Sequence, residues 1–282
     1  MRSIRDVLSQ DGAALATTLA LARDEARIEV QMLLQRAMNV GRAYLLAHPE
    51  QVLDATRQAE YEAMLQRRLQ GEPIAYILGE REFYGLNFKV TPDTLIPRPE
   101  TELLVELALQ RIPLHGQFRV LDLGTGTGAI ALSITYARPD VELVALDASS
   151  AALEVARENA QRLGIGNVRF VQSDWFAALA GQCFDLIVSN PPYIAANDIH
   201  LSQGDVRFEP PSALASGEDG LDDIRCIILQ ARDFLEPGGW LLLEHGYDQA
   251  AQVRDLLERA GYTDILFQAD LAGIERVSVG KM

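Results

Sequence analysis

In this chain, a single residue separates an apolar segment from two consecutive prolines. This junction restricts how the segment can fold. Residues Phe184–Ser189 are mostly apolar or β-branched, which is typical of a strand buried in a parallel sheet. Pro191 and Pro192 fix φ near about −65° and cannot donate ladder hydrogen bonds, and Asn190 is extended because it precedes a proline. The sequence therefore predicts a stiff loop at the carboxyl end of a central strand, the edge where open α/β sheets bind ligands.

This loop presents hydrogen-bond acceptors and an aromatic ring close together. The Asn190 side-chain oxygen and the Pro191 carbonyl can accept two hydrogen bonds, and Tyr193 can stack on a flat group. The set suits a planar group that carries an NH2, such as adenine or a side-chain amide. The loop residues by themselves do not choose between these two.

Strand-like and helix-like segments alternate from about residue 100 to the end of the chain. The alternation predicts an α/β fold, a doubly wound sheet with a late antiparallel hairpin. The predicted strands are 119–123, 142–147, 168–172, 185–189 and 240–244, with 263–268 and 275–279 as the closing pair. The predicted helices are 130–137, 151–163, 222–234 and 249–260.

Residues 1–75 are expected to form a small helical domain. Five apolar residues recur at the spacing of one helix face, namely Ala26, Val30, Leu33, Leu34 and Ala37. A later helix would be capped by Asp54 or Thr56 and would end near Gly71. Its predicted inner face consists of Met64, Leu65 and Leu69.

The pattern changes between residues 76 and 98, which we expect to be a structured linker. Two strand-like stretches, 81–84 and 88–90, surround a predicted turn at 85–87 and indicate a β-hairpin. Prolines at 92, 97 and 99 stiffen the connection after the hairpin. Residues 99–282 would then form the α/β domain.

The acidic composition restricts the possible partners. A net charge of −15 weighs against nucleic acid as the main partner, because duplex-binding enzymes usually carry a basic face. No apolar run approaches the roughly 20 residues that span a membrane, and the first residues lack a signal peptide's apolar core. Cys183 and Cys226 lack ligand spacing, so we expect free thiols, no metal and a cytoplasmic location.

A glycine-rich loop follows the first predicted strand of the α/β domain. Gly124, Gly126 and Gly128 are separated by Thr125 and Thr127, and such glycines allow a sharp turn and a close approach to a ligand. The preceding Asp122 fits either a ligand ammonium group or a hydrogen bond that shapes the loop. Taken alone, the glycine loop is weak support for a nucleotide site.

Three further residues strengthen that prediction. Asp147 ends the next strand, about 20 residues on, where a carboxylate can bind ribose hydroxyls, although it could instead cap a helix. Asp174 could accept from an adenine amino group, and Trp175 could pack on the adenine ring or simply fill the core. The combination with the Asn190 loop indicates a class I, Rossmann-like methyltransferase that uses S-adenosyl-L-methionine.

The α/β half resembles amino-group methyltransferases, which share an Asn/Asp/Ser-Pro-Pro-aromatic motif. Other stretches narrow the resemblance: G-E-P-I-A-Y-I-L-G at 71–79, F-Y-G at 83–85, I-P-R-P-E-T-E at 96–102, F-E-P-P-S-A-L at 208–214 and G-E-D-G-L at 217–221. Together they resemble the peptide-chain release factor glutamine methyltransferases (the HemK/PrmC family) over nearly the whole chain.

The resemblance implies methylation of the glutamine in the Gly-Gly-Gln loop of bacterial class 1 release factors, with S-adenosyl-L-homocysteine as product. The family's cofactor contacts fall on Gly124, Thr125, Gly126, Thr127, Gly128, Asp147, Trp175 and Asn190. Its substrate contacts fall on Asn190, Pro191, Pro192 and Tyr193. Of these, Asn190, Pro191 and Tyr193 would act in catalysis, and the N-terminal helices would dock the release factor.

Three alternatives remain open from the sequence. One is a glutamine methyltransferase acting on ribosomal protein L3, the second an adenine-N6 nucleic-acid methyltransferase, and the third a binding module without activity. The roles of Arg98 and Glu209 are also open: Arg98 could contact substrate or be solvated, and Glu209 could brace the loop or be an ordinary loop residue. The histidines show no triad pattern.

Overall fold

The computed structural model describes residues 2–282, which divide into two compact units. One contains the chain up to Gly79 together with Gln203–Phe208, and the other contains Glu80–Ser202 and Glu209–Met282. The division after Gly79 lies inside the expected linker. The sequence did not predict that six residues from beyond the Asn190 loop belong to the helical unit. Among residues 2–282, no helix has both the length and the apolar character needed to cross a membrane.

Residues 2–79 form five helices: α1 (Ile4–Leu19), α2 (Arg23–Met38), α3 (Arg42–Ala47), α4 (Ala55–Leu69) and α5 (Ile74–Leu78). The predicted apolar face of α2 is confirmed, since its five residues are buried. The Asp54 side chain accepts a hydrogen bond from the Arg57 N–H at 2.9 Å, so Asp54 caps α4 and the alternative cap, Thr56, is wrong.

A buried ion pair lies at the centre of the helical unit. Arg68, 2 % exposed on α4, donates two hydrogen bonds to the Glu29 carboxylate on α2, at 2.7 and 3.1 Å. The same guanidinium donates to Asp205 at 2.9 Å, and Asp205 belongs to the segment Gln203–Phe208. Arg68 therefore joins two helices and the inserted segment through one side chain.

The second unit begins with a hairpin, β1 (Glu80–Phe83) and β2 (Leu86–Lys89). Tyr84 and Gly85 both have positive φ, 51° and 76°, as a two-residue type I′ turn requires. The predicted three-residue turn at 85–87 is therefore wrong, because pairing of Phe83 with Leu86 leaves only two residues between the strands.

Within residues 80–282, seven strands form one sheet in the order β5-β4-β3-β6-β7-β9-β8. They are β3 (Arg119–Leu123), β4 (Glu142–Asp147), β5 (Val168–Gln172), β6 (Phe184–Ser189), β7 (Leu235–Glu244), β8 (Thr263–Ala269) and β9 (Glu275–Lys281). The first five in sequence are parallel, and β9 runs antiparallel to β7 and β8. The predicted doubly wound sheet with a late hairpin is confirmed.

Five longer helices belong to this unit: α6 (Glu102–Arg111), α7 (Ala129–Ala137), α8 (Ser150–Leu163), α9 (Asp222–Ala231) and α10 (Ala250–Arg259). Helix α6 was not predicted, and α9 ends at Ala231, three residues earlier than expected. Strand β7 begins at Leu235, five residues before the predicted start, and runs through Pro237. A register irregularity between β6 and β7 accompanies this extension.

The central strands are buried on both faces. On β3, Val120 packs into one apolar cluster, whereas its neighbour Leu121 packs into the cluster on the opposite face. Strand order reverses between β3 and β6, whose last residues, Leu123 and Ser189, are paired. The Ser189 hydroxyl donates to the Leu123 carbonyl at 2.8 Å. The glycine loop and the Asn190 loop therefore start side by side at a topological switch point.

Candidate active site

A cavity of about 260 Å³ opens at the carboxyl edge of the sheet. The predicted site residues that line it are Gly124, Gly126, Asp147, Asp174, Trp175, Asn190 and Pro192. The structure thus gathers the loops after β3, β4, β5 and β6 around one space. Thr125, Thr127, Gly128, Pro191 and Tyr193 are not among the lining residues.

The glycine loop is held by the carboxylate that ends β4. Asp147 Oδ2 accepts from the Gly126 N–H at 2.9 Å, and Oδ1 accepts from the Ser149 N–H at 2.9 Å. Burial raises the pKa of Asp147, and these backbone hydrogen bonds lower it by a smaller amount, because they stabilise the charged carboxylate. Helix α8 is capped by the Ser149 hydroxyl, so the helix-capping alternative for Asp147 is wrong.

Gly128, the third glycine of the loop, serves packing rather than the cavity wall. Its φ of 81° is in the left-handed region, and a Cβ there would lie 3.0 Å from Leu132 Cδ1 and 3.3 Å from Ala156 Cβ. Thr127 is also inward: it is buried, and its carbonyl accepts from the Asn159 side chain at 2.9 Å. Both residues shape the loop that approaches the cavity.

Asp122 is fully buried beneath the glycine loop. Thr125 Oγ1 donates to Asp122 Oδ2 at 2.6 Å, which supports the loop-shaping interpretation of Asp122. The other oxygen, Oδ1, has no hydrogen-bond partner. Burial, the largest influence, raises the pKa of Asp122 to about 7. Asp122 is not among the residues that line the cavity.

Trp175 and Asp174 form the wall after β5. The Trp175 ring packs partly against the apolar core, and its indole N–H donates to Asp223 Oδ1 at 3.2 Å. The same ring lies about 3.8 Å from where a Cβ on Gly124 would be. Trp175 thus fills the core and lines the cavity at once, and the exposed Asp174 lies beside it.

The Asn190 loop is fixed by contacts outside the cavity. Asn190 Nδ2 donates to Thr101 Oγ1 at 3.1 Å, and the Tyr193 hydroxyl donates to Glu244 Oε1 at 3.3 Å. Burial raises the pKa of Tyr193. The Tyr193 carbonyl accepts from Gln249 Nε2 at 2.9 Å. These partners leave the Asn190 oxygen as the end of the amide available to the cavity.

The two residues whose roles were open contact each other. The buried Glu209 carboxylate accepts from the Arg98 guanidinium and from the Ile96 N–H, the latter at 3.0 Å. Arg98 is therefore paired rather than freely solvated, and Glu209 braces the proline-rich segment. The adjoining stretches 93–95 and 210–213 supply further lining residues: Asp93, Thr94, Leu95, Pro210, Ser212 and Ala213.

Sequence reasoning missed Asp223, which lines the cavity and holds Trp175. It also missed Thr101 and Glu244, which lie behind Asn190 and Tyr193. The motifs at 96–102 and 208–214 carried a family resemblance but no roles for most of their residues. A carboxylate at the end of a strand whose preceding residues are apolar, as Glu244 is after Trp240–Leu243, was the available signal for one of them.

Comparison with solved structures supports the fold of the second unit. The hMettl16 catalytic domain aligns over 77% of this chain and 81% of its own, with a TM-score of 0.58 and 16% identity. A methyltransferase from Pyrococcus furiosus aligns over 78% and 98%, with a TM-score of 0.55 and 20% identity. At these identities the likeness shows the fold alone.

Sequence comparison is more specific. A family model described as the PrmC N-terminal domain matches residues 13–79, and one described as a methyltransferase domain matches 114–270. The release factor glutamine methyltransferase of Salmonella typhimurium is 52% identical over 92% of this chain and 93% of its own. That of Escherichia coli is 49% identical over 92% and 94%. Because relatives of about 50% identity match more than nine-tenths of this chain, the protein belongs to the release factor glutamine methyltransferase family.

Proposed function

We propose that the protein transfers a methyl group from S-adenosyl-L-methionine to the side-chain amide nitrogen of the glutamine in the Gly-Gly-Gln loop of bacterial class 1 release factors. The observation that carries the proposal is the Asn190 amide, whose nitrogen is held by Thr101 while its oxygen remains available at the cavity. The relatives named release factor glutamine methyltransferase, about half identical over more than nine-tenths of the chain, supply the substrate class.

The residues around the cavity fit the cofactor. Asp147 offers a carboxylate for ribose hydroxyls, Trp175 offers a ring face for adenine, and Asp174 offers an acceptor for its amino group. When bound, the cofactor supplies an electrophilic methyl group on a sulfonium.

Asn190 and Pro191 are proposed to position the target nitrogen. An amide nitrogen is a weak nucleophile because its lone pair is delocalised into the carbonyl. The Asn190 oxygen and the Pro191 carbonyl can accept hydrogen bonds from the two N–H groups of the target nitrogen. These bonds fix the orientation of the amide and favour the positive charge that develops on the nitrogen. Positioning of this kind contributes about 7–11 kcal/mol in favourable intramolecular reactions.

No general base is needed in this proposal. A methylated amide nitrogen that still carries its extra proton is strongly acidic, so the proton leaves readily to water. None of the four histidines lines the cavity. Tyr193 would act by holding the loop, since its hydroxyl is bound to Glu244.

A labelling experiment tests the substrate. The purified protein receives tritiated S-adenosyl-L-methionine with a class 1 release factor, with ribosomes containing L3, or with DNA, in separate reactions. We expect label in the release factor, at the Gly-Gly-Gln glutamine by mass spectrometry. A release factor with that glutamine changed to alanine is the matched control. Label in ribosomes or DNA but not in release factor would contradict the proposal.

We further propose that the helical unit docks the release factor. A groove on this unit is lined by Arg5, Arg23 and Arg27 beside apolar residues that include Leu46, 58 % exposed. Arg23→Glu with Arg27→Glu should raise KM for the intact release factor without changing KM for a short Gly-Gly-Gln peptide. Arg36→Glu, an exposed site on α2 outside the groove, is the control. Equal KM values for the double variant and wild type would contradict docking at this groove.

A further inference from the structure

The Asn190–Tyr193 loop cannot be anchored through its own central N–H groups, because Pro191 and Pro192 have none. Asn190 and Pro191 each precede a proline, so both are restricted to extended backbone conformations. The loop is therefore stiff inside, and a movement of its end is carried back to the Pro191 carbonyl. Whatever holds the end of the loop accordingly decides where this proposed acceptor for the target nitrogen lies.

Gln249 binds the carbonyl group at the end of the loop. Its Nε2 donates to the Tyr193 carbonyl at 2.9 Å, and its Oε1 accepts from the Gly246 N–H at 2.8 Å. Gln249 is 6% exposed. A backbone carbonyl can only accept and a backbone N–H can only donate, so these two partners fix which end of the Gln249 amide faces the loop.

A second segment, 214–220, pairs with the chain as it leaves the loop. The Ile194 N–H donates to the Leu214 carbonyl, and the Ile194 carbonyl accepts from the Ser216 N–H, both at 2.9 Å. These two bonds form a short parallel bridge. The residue after Tyr193 is therefore held on both of its backbone groups, and the position of the loop end is set from outside the loop.

Gly220 allows this segment to approach the loop closely. Its φ is 77°, and a Cβ there would overlap the Tyr193 carbonyl oxygen and lie 2.8 Å from Gln249 Nε2. Only glycine therefore leaves room for the hydrogen bond between Gln249 and Tyr193. The stretch G-E-D-G-L at 217–221 carried the family resemblance without a role, and this close approach gives its second glycine a physical reason.

We infer that Gln249 is a positioning residue for methyl transfer and that Gly220 leaves the room it needs. By holding the Tyr193 carbonyl, Gln249 sets the direction of the stiff loop, and with it the Pro191 carbonyl and the Asn190 side chain. Gln249 is not among the residues that line the cavity, so it acts through the loop and does not touch the substrate. This inference rests on the proposed role of the loop in binding the target amide.

Gln249→Glu tests the inference, because it keeps the shape of the side chain and changes one end of it. One carboxylate oxygen can still accept from the Gly246 N–H, but the other faces the Tyr193 carbonyl, and two acceptors repel each other. At pH 8 we expect kcat for release-factor methylation to fall about tenfold to a hundredfold, as for a reacting group misplaced by about 1 Å. KM and the cofactor Kd should stay within about threefold of wild type.

A positioning role also predicts that acid restores the variant. A protonated carboxyl at position 249 has an O–H that can donate to the Tyr193 carbonyl. Burial and the neighbouring acceptors favour the neutral form and raise the pKa of the introduced carboxyl. The ratio of wild-type kcat to variant kcat should therefore shrink several-fold as pH falls from about 8 to about 6.5.

The ratio is used because other groups near position 249 are ionisable. On the adjoining segments these are Tyr193, Asp219, Glu244, His245, Asp248 and Arg276. Asp219 is ion-paired with Arg225, and Arg276 with Asp270. Burial raises the pKa of Tyr193 and lowers that of His245, so both are neutral in this range. Glu244, with a pKa of about 7, titrates in wild type and variant alike.

Three further variants keep the result interpretable. Gln252→Glu, at an exposed glutamine of α10, is the matched control and should leave kcat and its pH dependence unchanged. If Gln249→Glu does not fold, Gln249→Met removes both hydrogen bonds at similar length and should lower kcat without recovery in acid. Gly220→Ala should also lower kcat, because its Cβ would displace the Tyr193 carbonyl.

The outcomes separate the inference from the function on which it rests. Loss of activity in Asn190→Ala with wild-type kcat in Gln249→Glu would overturn the positioning role alone. A loss in Gln249→Glu that does not change with pH, or that falls on the cofactor Kd and not on kcat, would overturn it too, because it would indicate a general disturbance of the fold. Full activity in Asn190→Ala would instead overturn the proposed role of the loop.

Discussion

Two buried glutamates, one in each unit, have different hydrogen-bond and ion-pair partners. Glu29 in the helical unit meets the guanidinium of Arg68 at 2.7 and 3.1 Å. Glu244 in the α/β unit accepts one hydrogen bond, from the Tyr193 hydroxyl at 3.3 Å, and its Oε2 has no hydrogen-bond partner. Burial raises the pKa of both carboxyls, and it raises that of Glu244 to about 7. The difference lies in whether a cation offsets the lost hydration.

The comparison indicates different purposes. The Glu29–Arg68 pair also binds Asp205, so it holds the segment Gln203–Phe208 in the helical unit, and its role is structural. Glu244 destabilises the fold while ionised, because no cation accompanies it into the interior. Such uncompensated groups concentrate at functional sites. Glu244 lies directly behind the proposed catalytic loop.

Removing the paired glutamate should give the largest effect on stability. Glu29→Ala leaves Arg68 buried with Asp205 as its remaining carboxylate, and breaking a buried pair costs about 3–5 kcal/mol. We expect a loss of this size in the free energy of unfolding, measured by urea denaturation. Cofactor affinity should not change. Glu25→Ala, at an exposed glutamate of α2, is the control, and an equal loss there would remove the distinction drawn for Glu29.

Removing the Asn190 amide, which we propose to be catalytic, should leave stability intact and reduce the rate. Asn190→Ala deletes one of two proposed acceptors for the target nitrogen, and loss of one such electrostatic contact lowers kcat about 10²–10³-fold. The cofactor Kd from calorimetry should remain within about twofold. Steady-state kinetics on the intact release factor measure the effect, and wild-type rates would refute the assigned role.

Glu244→Gln should change stability in the direction opposite to Glu29→Ala. The folded pKa of Glu244, about 7, lies above its unfolded value, so the folded state binds the proton more tightly. The stability that this provides is fully present below the unfolded pKa and is lost as pH rises through about 7. A shift of this size corresponds to about 3 kcal/mol.

At pH 8, Glu244→Gln is therefore expected to be more stable than wild type, with a free energy of unfolding higher by up to about 3 kcal/mol. It should accordingly unfold at a higher urea concentration. A variant less stable than wild type at pH 8 would show that Glu244 resembles Glu29 after all.

The smallest effect is expected for Asp147, whose carboxylate already accepts hydrogen bonds from backbone N–H groups. Asp147→Ala removes a proposed ribose contact together with the Gly126 hydrogen bond, so the cofactor Kd should rise about tenfold. The kcat at saturating cofactor should change less. Isothermal calorimetry checks the affinity, and an unchanged Kd would mean that Asp147 only braces the loop.

Much of the sheet could be predicted because the residues next to each strand mark where the strand begins and ends. The predicted bounds 119–123, 142–147 and 168–172 coincide with β3, β4 and β5. The early start of β7 could not be foreseen, since Pro237-Gly238-Gly239 is a turn-like stretch, with Gly238 at a φ of 83°. Only the pairing of Leu235 with Phe184, before the register irregularity, extends the strand back to residue 235. The hairpin turn was misplaced because glycine at 85 marks either a two- or a three-residue turn.

The sequence by itself determined the chemistry at the end of β6 and the glycine loop, because φ restrictions at proline and glycine act within a few residues. It did not determine which groups lie behind them. Thr101 meets Asn190 across 89 residues, Glu244 meets Tyr193 across 51, and Asp205 meets Arg68 across 137. Whether a carboxylate is buried, and whether a hydroxyl or a guanidinium faces it, depends on packing between distant segments. Only the tertiary structure therefore decided which buried glutamate is paired with a guanidinium and which one lies behind the Asn190 loop without a cationic partner.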